Sequence, residues 1–261
     1  MMKNIRLAGV ISLLTLITTI SCKRTLYNHP DNSPPRYYMP LQVGRYAIYK
    51  LDSINFYHYG QLDTLTQYLA KDTVENFFVG NLGDTTWVVE RYLSPATGPI
   101  VWTPNETNTV NTSQRSVDLT ENNLRFIKLG YPMQNGLTWS GNSYIPDNPY
   151  QDYNFTAPKN VNVNGWTYTY QNVDQPFAAG GQTYDSTVTI LQVDDSSNVN
   201  INIIVDTSFA SRTYWSETYA KNIGLVYRHT ILWDYQPPPP QSTQSGYKLG
   251  FKVTLTLLEH N

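Results

Sequence analysis

The chain has 261 residues, with 18 Lys and Arg against 20 Asp and Glu, and only 15% of its side chains are charged. An ordinary soluble domain carries roughly 25%. A net charge of −2 supplies no electrostatic footprint for nucleic acid or for an anionic lipid surface, so neither is an expected electrostatic partner. Tyr, Thr, Asn, Ser and Gln replace the missing charges, with 21 Tyr among them. That mixture suits pleated, half-exposed strands.

Lys3 and Arg6 form a short positive region, and Leu7 to Ile20 follow without a charge. The run is too short to span a bilayer comfortably and reads as a signal-peptide core over residues 1–21. Cys22, the only cysteine, comes directly after Thr19-Ile20-Ser21. This resembles a bacterial lipobox, in which the cysteine is lipidated and becomes the mature N terminus. Thr19 stands where Leu is usual, as in the looser lipoboxes of Bacteroidetes lipoproteins. The competing reading is a plain secretory signal with a chance cysteine. The leader takes Lys3 and Arg6 with it, leaving 16 basic residues against 20 acidic ones. No cysteine then remains for a disulfide or thiolate metal site, so a core must hold the fold. No second stretch approaches membrane-spanning length. Palmitate-type acyl chains at Cys22 would be the sole anchor to the membrane.

Residues 22–42 carry Pro30, Pro34, Pro35 and Pro40 among polar residues, the composition of an extended tether. A single β-rich domain is expected over 43–261. Its strands are expected at 45–51, 62–69, 72–79, 85–93, 124–129, 166–173, 183–193, 199–205, 215–219, 225–234 and 247–258. A hairpin should form across residues 80–84 and a turn at Gly180-Gly181. Residues 95–114 and 147–158 read as surface loops. The Gly/Pro/Asn-rich stretch 128–142 reads as tight turns that deliver Trp139 into the core. Four successive prolines, Pro237 to Pro240, stiffen a late hairpin loop. No long stretch shows an apolar spacing of 3.6, and no internal repeat is evident. The expected fold is all-β: one antiparallel sheet system, as a half-barrel or a sandwich.

Catalytic signatures are missing. None of His29, His58, His229 and His260 has a second histidine at ligand spacing, and no G-x-S-x-G elbow, P-loop or dinucleotide fingerprint is present. Glu75, Glu90, Glu121 and Glu217 fall near or on expected strands and read as solvent-facing; a glycosidase pair cannot be read from sequence. Asp194 to Asn198 is rich in oxygen ligands but lacks EF-hand spacing, and reads as a turn. No metal site, cofactor or catalytic residue is expected, and the protein is expected not to be an enzyme. Trp87, Trp102, Trp166, Trp215 and Trp233 read mainly as core. Trp102, in a loop, is the weak candidate for ligand binding.

Three segments then carry a resemblance: Lys128-Leu-Gly-Tyr-Pro-Met-Gln-Asn-Gly-Leu-Thr-Trp139, Tyr184-Asp-Ser-Thr-Val188 and Tyr219-Ala-Lys-Asn-Ile-Gly-Leu-Val-Tyr227. Together they resemble a group of uncharacterised Bacteroidetes lipoproteins, with Tyr131 for the usual Phe and Ile223 for the usual Val. The last segment is also similar to a strand-turn in half-barrel lipoprotein carriers such as LolA and LolB. The resemblance implies a fold and no catalytic residues. From the residues alone, Asn222 and Gly224 bracket a bend that hands one strand to the next. Asp-Ser/Thr triplets at Asp52, Asp63, Asp72, Asp84 and Asp185 match the O-glycosylation pattern of that bacterial group. The expected function is a lipid-anchored lipoprotein of the outer membrane, on either face. It would bind an apolar ligand, a glycan or a protein partner without catalysis. Surface glycan binding or adhesion, and an envelope hydrolase, are the alternatives.

Overall fold

A computed structural model describes residues 33–57, 62–81, 84–155, 162–200, 203–204 and 208–261. The signal peptide, Cys22, His29 and His58 lie outside the described residues. Fourteen strands follow in order: β1 Tyr46–Tyr57, β2 Leu62–Val79, β3 Thr85–Pro95, β4 Thr103–Thr112, β5 Ser116–Glu121, β6 Leu124–Gly130, β7 Thr138–Ser140, β8 Thr167–Ala179, β9 Gln182–Ser197, β10 Val199–Asn200, β11 Ile203–Ile204, β12 Ala210–Ala220, β13 Gly224–Gln236 and β14 Tyr247–His260. No helix among the described residues is long and apolar enough to cross a membrane.

Twelve of the strands form one sheet in the order β6-β5-β4-β3-β2-β1-β14-β13-β12-β9-β8-β7, antiparallel throughout. A single sheet excludes the sandwich. The sheet curls until its two outer strands meet. Ile127 N–H of β6 donates to Gly141 O at 2.8 Å, and Trp139 Nε1–H of β7 donates to Ile127 O at 2.8 Å. The Tyr170 hydroxyl reaches across to accept from Gly130 N–H at 2.8 Å and donate to Gly130 O at 2.7 Å. An open twelve-stranded sheet would leave two rows of unpaired backbone groups; near-closure covers them. Trp139 rests against Tyr168 and Tyr170, with ring centroids 5.6 and 4.5 Å away, so the turn-rich stretch does deliver its aromatic to the seam.

Turn chemistry explains several connections. Ala179 pairs with Gln182 across Gly180-Gly181, and Glu121 pairs with Leu124 across Asn122-Asn123. All four linking residues have positive φ, the backbone that two-residue hairpins with a matching twist require. Asn222, at φ 63°, makes the expected bend between β12 and β13. Residues 62–79, expected as two strands, form one strand of 18 residues. The expected loop at 95–114 is corrected: Thr103–Thr112 is β4, paired with β3 and β5. Its inward positions, Glu106 and Asn108, are polar, so the alternation of apolar residues that marks a strand fails there. β5 was likewise not expected.

The last part of the expected tether packs onto the barrel. Pro35–Tyr38 forms a 3-10 turn with Pro35 and Tyr38 buried, and Tyr37 O accepts from Asn222 N–H at 2.7 Å. Met39 to Leu41 continue this plug at the end of the barrel where β1 begins, the proximal end. The core is the barrel interior, built from residues such as Tyr49, Val110, Leu129, Tyr168, Ile190 and Leu255. Tyr170→Phe removes one oxygen and leaves both Gly130 groups unpaired, so it should cost about 1–3 kcal/mol. Urea denaturation should show that loss, and the Gly130 amide should exchange with deuterium faster than in the parent.

Candidate functional site

Two charged strand residues expected to face water do the opposite. Glu121 is buried and Glu217 is 0% exposed. They anchor a network of ionised side chains inside the barrel. Asp72, Arg91 and Glu106 sit directly opposite one another on β2, β3 and β4. Arg91 grips Asp72 with two hydrogen bonds, Nε to Oδ1 at 2.6 Å and Nη2 to Oδ2 at 2.7 Å, and its Nη1 donates to Glu106 at 3.0 Å. Across the interior, Glu217 and Arg228 are cross-strand partners on β12 and β13.

Glu121 joins the two sets. Its Oε1 accepts from Arg228 Nη1 at 2.9 Å and from Arg91 Nη1 at 3.3 Å. Lys128 of β6, also 0% exposed, donates to Glu217 Oε1 at 2.8 Å. Trp215 Nε1 donates to that oxygen at 3.0 Å, and Tyr219 donates to Oε2 at 2.7 Å. Arg228 Nε lies 2.9 Å from Glu217 Oε1, close enough to pair its charge though not aligned as a hydrogen bond. The Lys128 ammonium also stands 4.6 Å from the Phe126 ring centre and 5.2 Å from that of Trp215, a favourable placement over an aromatic face.

Burial alone would raise both central carboxyls. Lys128 and Arg228 instead hold Glu217 down at about 2, and Arg228, Arg91 and Lys128 hold Glu121 well below the usual carboxylate range. Glu106 is the exception. Burial lifts its carboxyl above the ordinary value, with Arg91 opposing.

The network divides the interior, because Arg91, Glu121 and Arg228 line a cavity on each side of it. The proximal cavity holds only about 100 Å³ between the network and the Met39–Leu41 plug. The distal cavity is larger, about 440 Å³, and its walls include Tyr68, Phe126, Tyr150, Tyr153, Trp215 and Phe251. Ring centroids of Tyr150–Trp215, Tyr150–Phe251 and Tyr153–Phe251 lie 6.1, 5.8 and 5.0 Å apart. An aromatic chamber of this size over a few fixed polar groups is the usual form of a small-ligand site.

One side of the interior is rich in unpaired polar groups. Thr230 of β13 lines the distal cavity, and its buried hydroxyl has no hydrogen-bond partner among the described residues. The buried Ser211 and Thr213 hydroxyls, Asp234 Oδ1 and both amide atoms of Gln192 likewise have no hydrogen-bond partner among the described residues, though they do not line that cavity. Ser211 faces Asp234 and Trp215 faces Thr230 in the β12–β13 register, so these groups run along one inner wall toward the distal end. Burial without a cation raises the Asp234 carboxyl to about 6.

The other sequence candidates lie elsewhere. Trp102 is half-buried beside Lys71, 6.0 Å from its ammonium, and does not line the distal cavity. Glu75 is exposed and Glu90 is half-buried, accepting from Thr107 at 2.9 Å. Asp194, in the stretch read as a turn, pairs with Arg212 at 2.5 Å, and the stretch extends β9 as far as Ser197. His229 is half-buried near Tyr227, whose hydroxyl is 3.2 Å from its Nδ1; burial, then Lys252 and Arg212, push it below its ordinary value. Among the hydroxyls of the Asp-Ser/Thr triplets, Thr64 is exposed, whereas Ser53 lines the distal cavity and Thr73 Oγ1 is buried.

No protein family and no curated protein matches the chain. Two crystal structures have a similar course. One is a Bacteroides fragilis protein described as exported and as having a YmcC-like fold, at 12% identity over 84% of this chain and 98% of its own, TM-score 0.36. The other is a protein of Parabacteroides distasonis described as a lipoprotein, at 14% identity over 86% of this chain and 98% of its own, TM-score 0.37.

Removing one partner of a buried ion pair typically costs 3–5 kcal/mol, because the other charge is stranded. Glu217→Ala should therefore lower stability by about 3–5 kcal/mol, and Lys128→Met combined with Glu217→Leu should recover more than half of that in urea titrations. The pH dependence follows from the shifts. A carboxyl held down to about 2 contributes stability above its unfolded value near 4.5, and that contribution disappears as pH falls from there toward 2. Asp234 has the opposite sign: its folded state keeps the proton up to about 6, so rising pH between 4 and 6 removes stability. Asp234→Asn should thus gain on the parent in thermal melts above pH 6, and lose that advantage by pH 4.

Proposed function

We propose that the protein is a lipid-anchored lipoprotein of the outer membrane, acylated at Cys22, that binds a small ligand in its distal cavity without turning it over. The anchor reading rests on the signal-like leader and the lone cysteine. The binding reading rests above all on one observation: a chamber of about 440 Å³ with aromatic walls stands on a floor of paired, buried charges. Binding is favoured over hydrolysis because Glu121 and Glu217 are tied to cations that hold their carboxyls down, and Glu106, the lining carboxyl that burial raises, is itself paired with Arg91. A general acid needs a carboxyl that holds its proton near working pH.

Among the ligands expected from sequence, the inner wall favours a neutral, multiply hydroxylated ring, as in a glycan, over a lipid. A lipid tail would leave the hydroxyl of Thr230, the unpaired one of these groups that lines the cavity, without a partner, at about 1–3 kcal/mol. Ordered water or ligand hydroxyls satisfy such groups, while Trp215, Tyr150 and Phe251 offer ring faces for stacking. The charged floor carries as many negative as positive groups or more, which disfavours an anionic ligand.

Radiolabelled palmitate should enter the wild-type chain and not Cys22→Ser; incorporation into neither removes the anchor. Native mass spectrometry and calorimetry with cellobiose, chitobiose, maltose and palmitate test the cavity. A saccharide should bind and palmitate should not; the reverse result would sink the glycan reading. Thr230→Val should stabilise the ligand-free protein by about 1 kcal/mol, since it removes an unpaired buried hydroxyl, and should weaken saccharide binding.

A further inference from the structure

The proximal end of the barrel carries an apolar overhang that the interior cavities leave unexplained. β2 outruns β1: Tyr46, the first residue of β1, pairs with Thr73, and backbone pairing reaches only Val74, bonded to Gly44 and Arg45. From Asn76 to Val79, β2 is matched by β3 alone among the described residues. At roughly 3.3 Å per residue this overhang extends on the order of 15 Å past the start of β1. Its side chains are Phe77, Phe78 and Val79, exposed by 52%, 54% and 61%. Successive strand residues point to opposite faces, so both faces of the ribbon are apolar and uncovered. Phe77 leans on Trp87, with centroids 5.0 Å apart.

The same end receives the chain from its N terminus. The Pro35–Tyr38 turn and the Met39–Leu41 plug lie there, tied to the Lys221–Ile223 bend through Asn222. Ten residues lie between Cys22 and Ser33, so eleven steps of chain give a reach of about 40 Å at full extension. An acylated Cys22 would therefore tether the protein to the bilayer from this end.

We propose that the β2–β3 overhang is a membrane-contact element: Phe77, Phe78 and Val79 enter the bilayer interface beside the acyl anchor, and the distal cavity opens away from the membrane. This rests on the acylation proposed above. The occupant is a zwitterionic lipid surface: the apolar side chains themselves enter it, and the charges flanking them in sequence, Glu75 and Asp84, offer no attraction to an anionic one, unlike Lys23 and Arg24 beside the anchor. Aromatic side chains at an interface, together with acyl chains, make the two-signal attachment that holds a peripheral protein firmly.

An acylated Cys22 leaves no free thiol, so Val79→Cys can be labelled alone with an environment-sensitive nitrobenzoxadiazole dye. Val101→Cys, 62% exposed in the parent on the connection at the opposite end of β3, is the control. Both full-length proteins would be reconstituted into phosphatidylethanolamine–phosphatidylcholine vesicles. The expected result is a blue-shifted label at position 79 that doxyl-lipids quench several-fold more than the label at 101. Equal quenching at the two positions, or a label at 79 that stays in water while the protein is anchored, overturns the proposal. So does a blue shift already present before lipid is added, which would put a second copy of the chain on the tip. If Cys22 takes the dye and proves unacylated, the anchor reading fails separately. A Cys22→Ser background then decides the tip by the same quenching ratio.

Discussion

The structure depends on ionised groups placed where a barrel would ordinarily put hydrocarbon. Glu121 and Glu217 receive Arg91, Arg228 and Lys128 from strands on both sides of the curled sheet. Taking these charges out of water costs several kcal/mol per ion, and only excellent geometry and complete hydrogen bonding offset it. The Glu217 carboxylate meets these conditions most nearly: its two oxygens accept three hydrogen bonds, from Lys128, Trp215 and Tyr219, and Arg228 Nε adds its charge without an aligned hydrogen bond. The pairs are also directional. A hydrophobic filling could accommodate several strand registers, whereas Asp72–Arg91–Glu106 and Glu217–Arg228 exist only when those residues stand opposite one another. The network thus selects one closure of the sheet as much as it stabilises it.

The same network shapes the cavity. Side chains locked by mutual ion pairs cannot collapse into neighbouring space, so the floor of the distal chamber stays rigid and the aromatic walls stand on it. Rigid polar groups beneath stacked rings are pre-organised for a ligand and need little reordering on binding. The unpaired groups of the inner wall carry the complementary cost in the free protein. Of these groups Thr230 lines the distal chamber, and the proposed ligand site draws on it.

The fold class was legible in the sequence because most strands obey simple rules. Trp215 to Tyr219 and Leu225 to Asp234 are rich in β-branched and aromatic residues, and Gly180-Gly181 and Asn222 mark turns by needing positive φ. The site was not legible, for a related reason. Reading burial from sequence treats a charged residue on a strand as outward, and that rule fails wherever the interior itself is charged. It concealed Glu121 and Glu217 and erased β4, whose inner face is Glu106 and Asn108. A local signal did exist. Lys128 stands two residues after Phe126, Glu217 between Trp215 and Tyr219, and Arg228 two residues after Val226. A charge with a large or apolar residue two positions away marks an inward position, but which strand supplies its partner is a matter of three-dimensional closure. Trp102 misled in the other direction: a tryptophan in an expected loop reads as exposed, yet it lies half-buried beside Lys71.

The account stands on the guanidinium groups of Arg91 and Arg228 being sealed inside the barrel and paired at neutral pH. Nitrogen-detected NMR of arginine side chains measures this directly through hydrogen exchange of the Nε–H and Nη–H groups. Arg91 and Arg228 should exchange orders of magnitude more slowly than Arg125, whose side chain is about half exposed, and should hold their resonances unchanged from pH 8 down to 5. Exchange as fast as that of Arg125 would mean that water reaches the interior charges, and neither the network nor the chamber resting on it could then be as described.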